Sequence, residues 1–191
     1  MIKPPATYYK FILILKKYKA IITMIKKHIE PPAPQTILSL DTATKCGWAI
    51  WHNGSIVSSG VWNFNSKTIG RKLTKFASQL TKIIVSYNVT EIVAEDIYLD
   101  ASRPKAFMRL GEMRGVLLAV AEQHNIAVNF IEPSQHKRYL CCSSYATKTD
   151  TQTTLQRLGY GEISSNDEAD AIAILLTYIK APIRLHKPRK R

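Results

Sequence analysis

Hydrophobic and polar positions fall into two periods along this chain. Between Thr36 and Trp62 they alternate in short runs. Thr36-Ile-Leu-Ser-Leu-Asp41 reads as an apolar strand ending in an aspartate, with Ile37, Ser39 and Asp41 on one face and Leu38 and Leu40 on the other. Gly47 to His52 is strand-like, Asn53-Gly54 is a type I′ hairpin signal, and Ser55 to Trp62 returns. Three antiparallel strands therefore open the domain. From Thr68 the period changes: Ile69, Leu73, Phe76, Leu80, Ile83, Ile84 and Tyr87 recur at spacings of three and four, which marks an amphipathic helix. Arg71, Lys72, Lys75 and Lys82 fall mostly off that stripe, on a face expected to be solvated.

The alternation of strand and helix then continues. Glu91 to Glu95 reads as a short buried strand that also ends in a carboxylate. Arg103 to His124 is helical, with Phe107, Leu110, Met113, Leu117 and Val120 on one stripe. Gly111 and Gly115 lie within it, and because glycine weakens a helix interior by roughly 1 kcal/mol, two on one face suggest close approach to the sheet or to a second subunit. Ala127 to Ile131 is another strand, and Pro133-Ser134 opens a short helix carrying His136, Lys137 and Arg138. Thr147 to Leu158 is a polar helix ended by Gly159. Ser165-Asn166-Asp167-Glu168 is a capping box, with Ser165 as N-cap, that starts a helix from Ala169 to Lys180, apolar nearly all round and so buried. This order predicts an α/β fold with a mixed sheet, three antiparallel strands followed by parallel ones, flanked by helices.

Length and charge narrow the picture. The 191 residues suit one domain plus tails, and 27 Lys+Arg against 14 Asp+Glu give a net charge of +13, which favours a polyanionic partner, nucleic acid above all. Residues 1–35 read as a basic extension with seven lysines before the Pro31-Pro32-Ala33-Pro34 linker, residues 36–181 as the folded domain, and residues 182–191 as a basic tail. The extension reads as a nucleic-acid-touching arm, an organelle presequence or an upstream extension from an early start codon, and the lack of arginine weighs against the presequence. Its apolar run, Phe11 to Leu15, is too short to span a bilayer, so no membrane is expected. Three cysteines, two of them adjacent, imply neither a disulfide framework nor a zinc knuckle, and suggest a reducing, cytoplasmic compartment.

Candidate chemistry centres on four acids. Asp41 and Glu95 end strands, while Asp167 and Asp170 share one helical face because residues three apart on a helix are neighbours. Carboxylates brought together repel, and the ordinary remedy is a divalent cation, Mg²⁺ or Mn²⁺ for an all-oxygen ligand set. Two such ions are the apparatus for in-line attack of water on a phosphodiester. Each acid also has a plain structural use. Asp167 and Glu168 suit the first turn of a helix electrostatically, Glu95 could pair with a lysine, and Asp41 could cap a turn with Thr42 or Thr44. Asp170 lies beyond the capping turn, beside the buried run Ala171 to Leu176, and resists that explanation.

Four blocks in order, Leu40-Asp41 with Gly47-Trp48, Ala94-Glu95 with Tyr98, Arg109-Leu110-Gly111-x-x-Arg114-Gly115-Val116, and Asp167-x-x-Asp170-Ala171-Ile172-Ala173, resemble the RuvC-type Holliday junction resolvases from about Thr36 to Ile179. The resemblance implies an RNase H-like fold and a homodimer whose two Mg²⁺-dependent sites nick opposite strands of a four-way DNA junction. It implies two Mg²⁺ per site, replaceable by Mn²⁺, with Asp41, Glu95, Asp167 and Asp170 as catalytic metal ligands. Lys137 and Lys148 match basic residues near the scissile phosphate, Tyr98 an aromatic that contacts junction bases, and Arg109 and Arg114 further DNA-binding positions. The family's glycine-rich turn after the first aspartate is here Thr42-Ala43-Thr44. Two rivals make different demands. An actin-like ATPase or sugar kinase opens with a similar strand but needs a duplicated domain, for which this chain is too short, and a non-catalytic nucleic-acid-binding domain would need the positive charge without the acids.

Overall fold

The computed structural model describes residues 35–97 and 102–180, all within one compact unit, Gln35–Arg191. The basic extension, Tyr98 and the tail lie outside the described residues, apart from Gln35. Strand β1 (Thr36–Asp41) runs through the middle of a five-stranded sheet, and all six of its residues are buried. Strands β2 (Lys45–His52) and β3 (Ser55–Asn63) flank it on one side, and β4 (Glu91–Glu95) and β5 (Ala127–Ile131) on the other, in the order β3-β2-β1-β4-β5. The first three strands are antiparallel, and β1, β4 and β5 are parallel. This is the mixed sheet that the alternation of periods predicts. The turn between β2 and β3 has Asn53 at φ 45° and Gly54 at φ 100°, the two positive values that a type I′ hairpin requires.

Period-2 alternation in β1 divides the core. Leu38 and Leu40 point toward α1 (Ile69–Tyr87) and α2 (Pro104–Gln123), where they join Phe76, Leu80, Met113 and Leu117. Ile37 points the other way, toward α3 (Pro133–Cys141), α4 (Lys148–Arg157) and α5 (Asn166–Tyr178), among Leu140, Leu155, Ile172 and Leu175. Ser39 and Asp41, two and four residues after Ile37, share its face. Among the described residues no helix is long and apolar enough to cross a membrane.

The helix caps are specified locally. Thr68 caps α1 by accepting the Arg71 N–H, and Asn88 ends it in the left-handed region at φ 50°. Thr147 and Asp150 close a capping box at α4, a Thr-x-x-Asp spacing that is itself legible in the sequence. Two expectations change. Ile69 is largely exposed, while Lys72, expected on the solvated face, is 9% exposed and lies on the buried stripe one turn before Phe76. Gly111 and Gly115 do not approach the sheet: a methyl built on either meets nothing within 4 Å.

Candidate active site

The four acids assemble at the C-terminal edge of β1 and β4. These strands are parallel neighbours with Leu40 opposite Ala94, so the next residues, Asp41 and Glu95, emerge side by side. Helix α5 lies across β1 and β2, held by a hydrogen bond from the Ser39 hydroxyl to the Ala171 carbonyl at 2.8 Å. That contact sets Asp170, the residue before Ala171, over the strand that ends in Asp41. Asp41 is 7% exposed and Asp170 5%, while Asp167 and Glu95 are half-buried.

Close approach of α5 depends on a missing side chain. Gly47 is the cross-strand partner of Asp41, and a β-carbon there would lie 1.8 Å from the carbonyl oxygen of Asp167. The glycine is needed for space, because the atom it avoids is backbone. Cys46, next to it, is fully buried. Burial pushes its thiol far above the ordinary range, and the charge of Asp41 and, less strongly, of Asp167 push the same way, while a backbone hydrogen bond from Ala43 opposes them. The thiol is held protonated beside two acids of the site.

Two further side chains complete the surroundings. His136 on α3 is 1% exposed, and its Nε2 lies 2.8 Å from Glu95 Oε1. An ionised carboxylate only accepts, so Nε2 carries the proton of this bond. Nδ1 is buried with no hydrogen-bond partner among the described residues. Glu168, the expected capping-box acid, behaves differently from that motif. Ser165 Oγ accepts the Glu168 N–H at 3.1 Å, as a cap should. The Glu168 carboxylate turns away from Ser165, accepting from the Ser164 N–H at 2.9 Å, the Ser164 hydroxyl, and the Ser59 hydroxyl of β3 at 2.6 Å. Burial alone would raise its pKa, but these bonds outweigh burial and hold it below the ordinary value. Glu168 thus ties the start of α5 to the sheet. His136 is legible only as the residue one turn before the buried Leu140, and Ser59 lies 109 residues from Glu168, so neither pairing has a local signal.

Basic residues surround this edge unevenly. Lys137, half-buried, directly follows His136, and Lys148 is the first residue of α4. Arg109 is exposed on α2. Arg114 forms an ion pair with Asp96, just beyond β4, and its guanidinium carbon lies 3.6 Å above the centre of the Phe130 ring. It therefore braces α2 against the sheet. Tyr98 lies outside the described residues.

The donor set suits a hard divalent cation, since it offers carboxylate oxygens alone, two of them on well-buried residues. It is not a finished cage. Among the described residues no three His, Cys, Asp or Glu side chains stand close enough to hold an ion, and Glu95 is turned onto His136. The acids share an edge of the sheet.

Comparison with known proteins agrees with this architecture. A family model, that of the crossover junction endodeoxyribonuclease RuvC, matches residues 37–178. The chain is 27% identical to the crossover junction endodeoxyribonuclease RuvC of Dictyoglomus turgidum over 135 residues, 70% of this chain and 82% of that protein. It is 27% identical to the Rickettsia conorii protein of the same name over 149 residues, 74% and 94% of the two chains. Among solved structures, Thermus thermophilus RuvC in complex with Holliday junction substrate superimposes with a TM-score of 0.65 at 18% identity, covering 76% of this chain and 93% of that one. A second Thermus thermophilus RuvC structure gives 0.62 at 17% identity with the same coverage. The sheet and its helices are thus RNase H-like, and with the match spanning β1 to α5 the chain belongs to the RuvC family of crossover junction endodeoxyribonucleases.

Proposed function

We propose that this protein is an Mg²⁺-dependent endonuclease that cuts four-way DNA junctions in pairs of symmetric nicks during recombination and repair, acting inside the cell where the DNA is. The observation that carries this reading is the placement of Asp41, Glu95, Asp167 and Asp170 along one edge of the sheet in a chain of this family. Asp41, Glu95, Asp167 and Asp170 would hold two Mg²⁺, or Mn²⁺ in their place, which would supply activation of water and stabilisation of the leaving oxygen for in-line hydrolysis. The chain's own residues do the rest. His136 fixes one oxygen of Glu95. Lys137 and Lys148 hold the phosphate that is cut, Arg109 and Arg114 add positive charge for the DNA backbone, and Tyr98 stacks on junction bases.

The same reading calls for two copies. Met108, Gly111, Gly115 and Leu118 are spaced by three, four and three along α2, so they share one face. Met108 and Leu118 are exposed, and the space above both glycines is open. A second α2 packing there would cover the stripe and present two active sites to the symmetric strands of a junction.

The test is cleavage of a labelled four-way junction with Mg²⁺ or EDTA, beside Asp41→Asn. Paired nicks that need the metal and vanish in the variant are expected. Junction binding without cleavage in any divalent cation would instead assign the protein to non-catalytic recognition.

A further inference from the structure

Among the described residues Lys72 is the one buried lysine or arginine, and the chemistry described so far does not use it. Its stem runs along the buried stripe of α1. Its Nζ donates to Thr44 Oγ1 at 3.1 Å, and Thr44 stands on the turn between β1 and β2, three residues after Asp41. That is its only hydrogen bond among the described residues, and no carboxylate there forms an ion pair with it. An ammonium carries three donors, so Lys72 keeps two to spare. Without a counter-charge beside it, an ammonium on a cleft wall is explained most simply by an anion that arrives from outside.

The surroundings fit an anion of one kind. Lys72 and Thr44 line a cleft of about 230 Å³ whose opposite wall is α2, with Ala106, Arg109, Leu110 and Met113. Among the described residues, two cations and a hydroxyl are its charged and polar side chains, and none is an acid. Thr44 accepts from Lys72, which leaves its own O–H to donate to something else. The cleft opens beside the loop that carries the chain away from Asp41, on the α1 and α2 side of the sheet, whereas Lys137 and Lys148 belong to α3 and α4 on the other side.

Resting on the nuclease reading, we propose that this cleft is a phosphate subsite for the DNA strand next to the cut: Lys72 and the Thr44 hydroxyl take the oxygens of a backbone phosphate that is not itself hydrolysed, and Arg109 closes over it from α2. The strand is then held on both sides of the sheet edge, by Lys137 and Lys148 at the cut and by Lys72 beyond it. The subsite reads no base, because only backbone oxygens are bound.

The experiment is binding of the full chain to a labelled four-way junction in EDTA, as a function of salt, with melting recorded for every variant. Lys72→Met keeps the apolar stem and removes the charge. It should lower the slope of log affinity against log salt by about 0.9, one phosphate contact, and should raise KM for cleavage far more than it lowers kcat. Lys72→Arg should restore the slope, and Thr44→Val should weaken binding without changing it. An unchanged slope in Lys72→Met would overturn the subsite and leave Lys72 as a prop for the Thr44 turn. Should Lys72→Met fail to fold, Thr44→Val decides: wild-type affinity there overturns the subsite, and weakened affinity supports it. The two levels separate cleanly. Wild-type protein that shows no salt-dependent junction binding sinks the nuclease reading along with the subsite, whereas wild-type binding with an unchanged slope in Lys72→Met sinks the subsite alone.

Discussion

One sheet carries two unlike faces. Toward α1 and α2 it packs large apolar and aromatic groups, with Trp48 stacked on Trp62 at 5.7 Å between ring centres and Phe64 edge-on to Phe76 at 5.5 Å. Toward α5 it also packs large aliphatic groups, such as Ile37, Leu140, Leu155 and Leu175, but among the described residues no buried aromatic. Small residues stand at the catalytic edge: Ala169 and Ala173 share a cluster with Ala49, and Gly47 lies beneath the backbone of Asp167. The polar burden differs in the same sense. The aromatic face buries Lys72 at its rim, while the α5 face buries Ser39, Asp41, His136, Glu168 and Asp170. Large side chains fill space and keep the backbones apart, whereas small ones let backbones touch, and a cluster of acids can be placed closely only by backbones that touch. Both faces therefore contribute apolar core, while the chemistry sits on one of them, at the edge where backbones touch.

The largest expected effect comes from closing that gap. Gly47→Ala sets a methyl against the Asp167 carbonyl, which cannot yield without moving α5, so it should destabilise by about 3 kcal/mol or more and abolish cleavage even in protein that remains folded. Phe76→Ala, on the other face, should destabilise by a similar amount, about 3 to 5 kcal/mol, yet the folded fraction should cut at nearly the wild-type rate. Equal activity per folded molecule in the two variants would show that the faces are not specialised.

Asp170→Asn sharpens the contrast with less damage to the fold. It should remove cleavage, and without metal it should melt no lower than the wild type, since repulsion among the acids is relieved. Mg²⁺ should raise the wild-type melting temperature by mass action and the variant's much less. An active Asp170→Asn enzyme would return that acid to the helix.

Glu168 is the smallest case, an acid on the chemical face that does structural work. Removing it strands the Ser59 and Ser164 donors, so Glu168→Ala should lower stability by about 1 to 3 kcal/mol at neutral pH and leave cleavage in the folded enzyme. The pH dependence has a definite sign. Its pKa is lower folded than unfolded, so its stabilisation is full above the unfolded value, near the ordinary 4.5, and is lost as pH falls through the folded value. Glu168→Gln should flatten that acid limb in pH-dependent melting, and an unchanged limb would remove the carboxylate from the account.

The sequence reading succeeds where a rule is local. The Asn53-Gly54 hairpin, the Ser165 cap, the period-2 split of β1 and the strand-end positions of Asp41 and Glu95 each depend on residues a few places apart, and all are found. It falls short where a polar side chain meets a partner far along the chain. Thr44 lies 28 residues from Lys72, Glu95 lies 41 from His136 and Ser59 lies 109 from Glu168. Lys72 sits one turn before Phe76, on the buried stripe, yet a lysine is assigned to solvent by its type. Its burial is fixed by the turn after β1, which the periodicity of α1 does not contain.

Cys46 gives the assembly a built-in reporter. Its thiol is sealed in the aromatic core on the α1 and α2 side of β2 and held protonated, whereas Cys142 is exposed and Cys141 partly so. A thiol reagent meets Cys46 only when α1 and α2 lift from the sheet, because the thiolate is the reacting form and burial denies both access and ionisation. Its labelling rate under native conditions therefore measures how often the aromatic core opens, separately from the movement of α5 on the other face of the sheet.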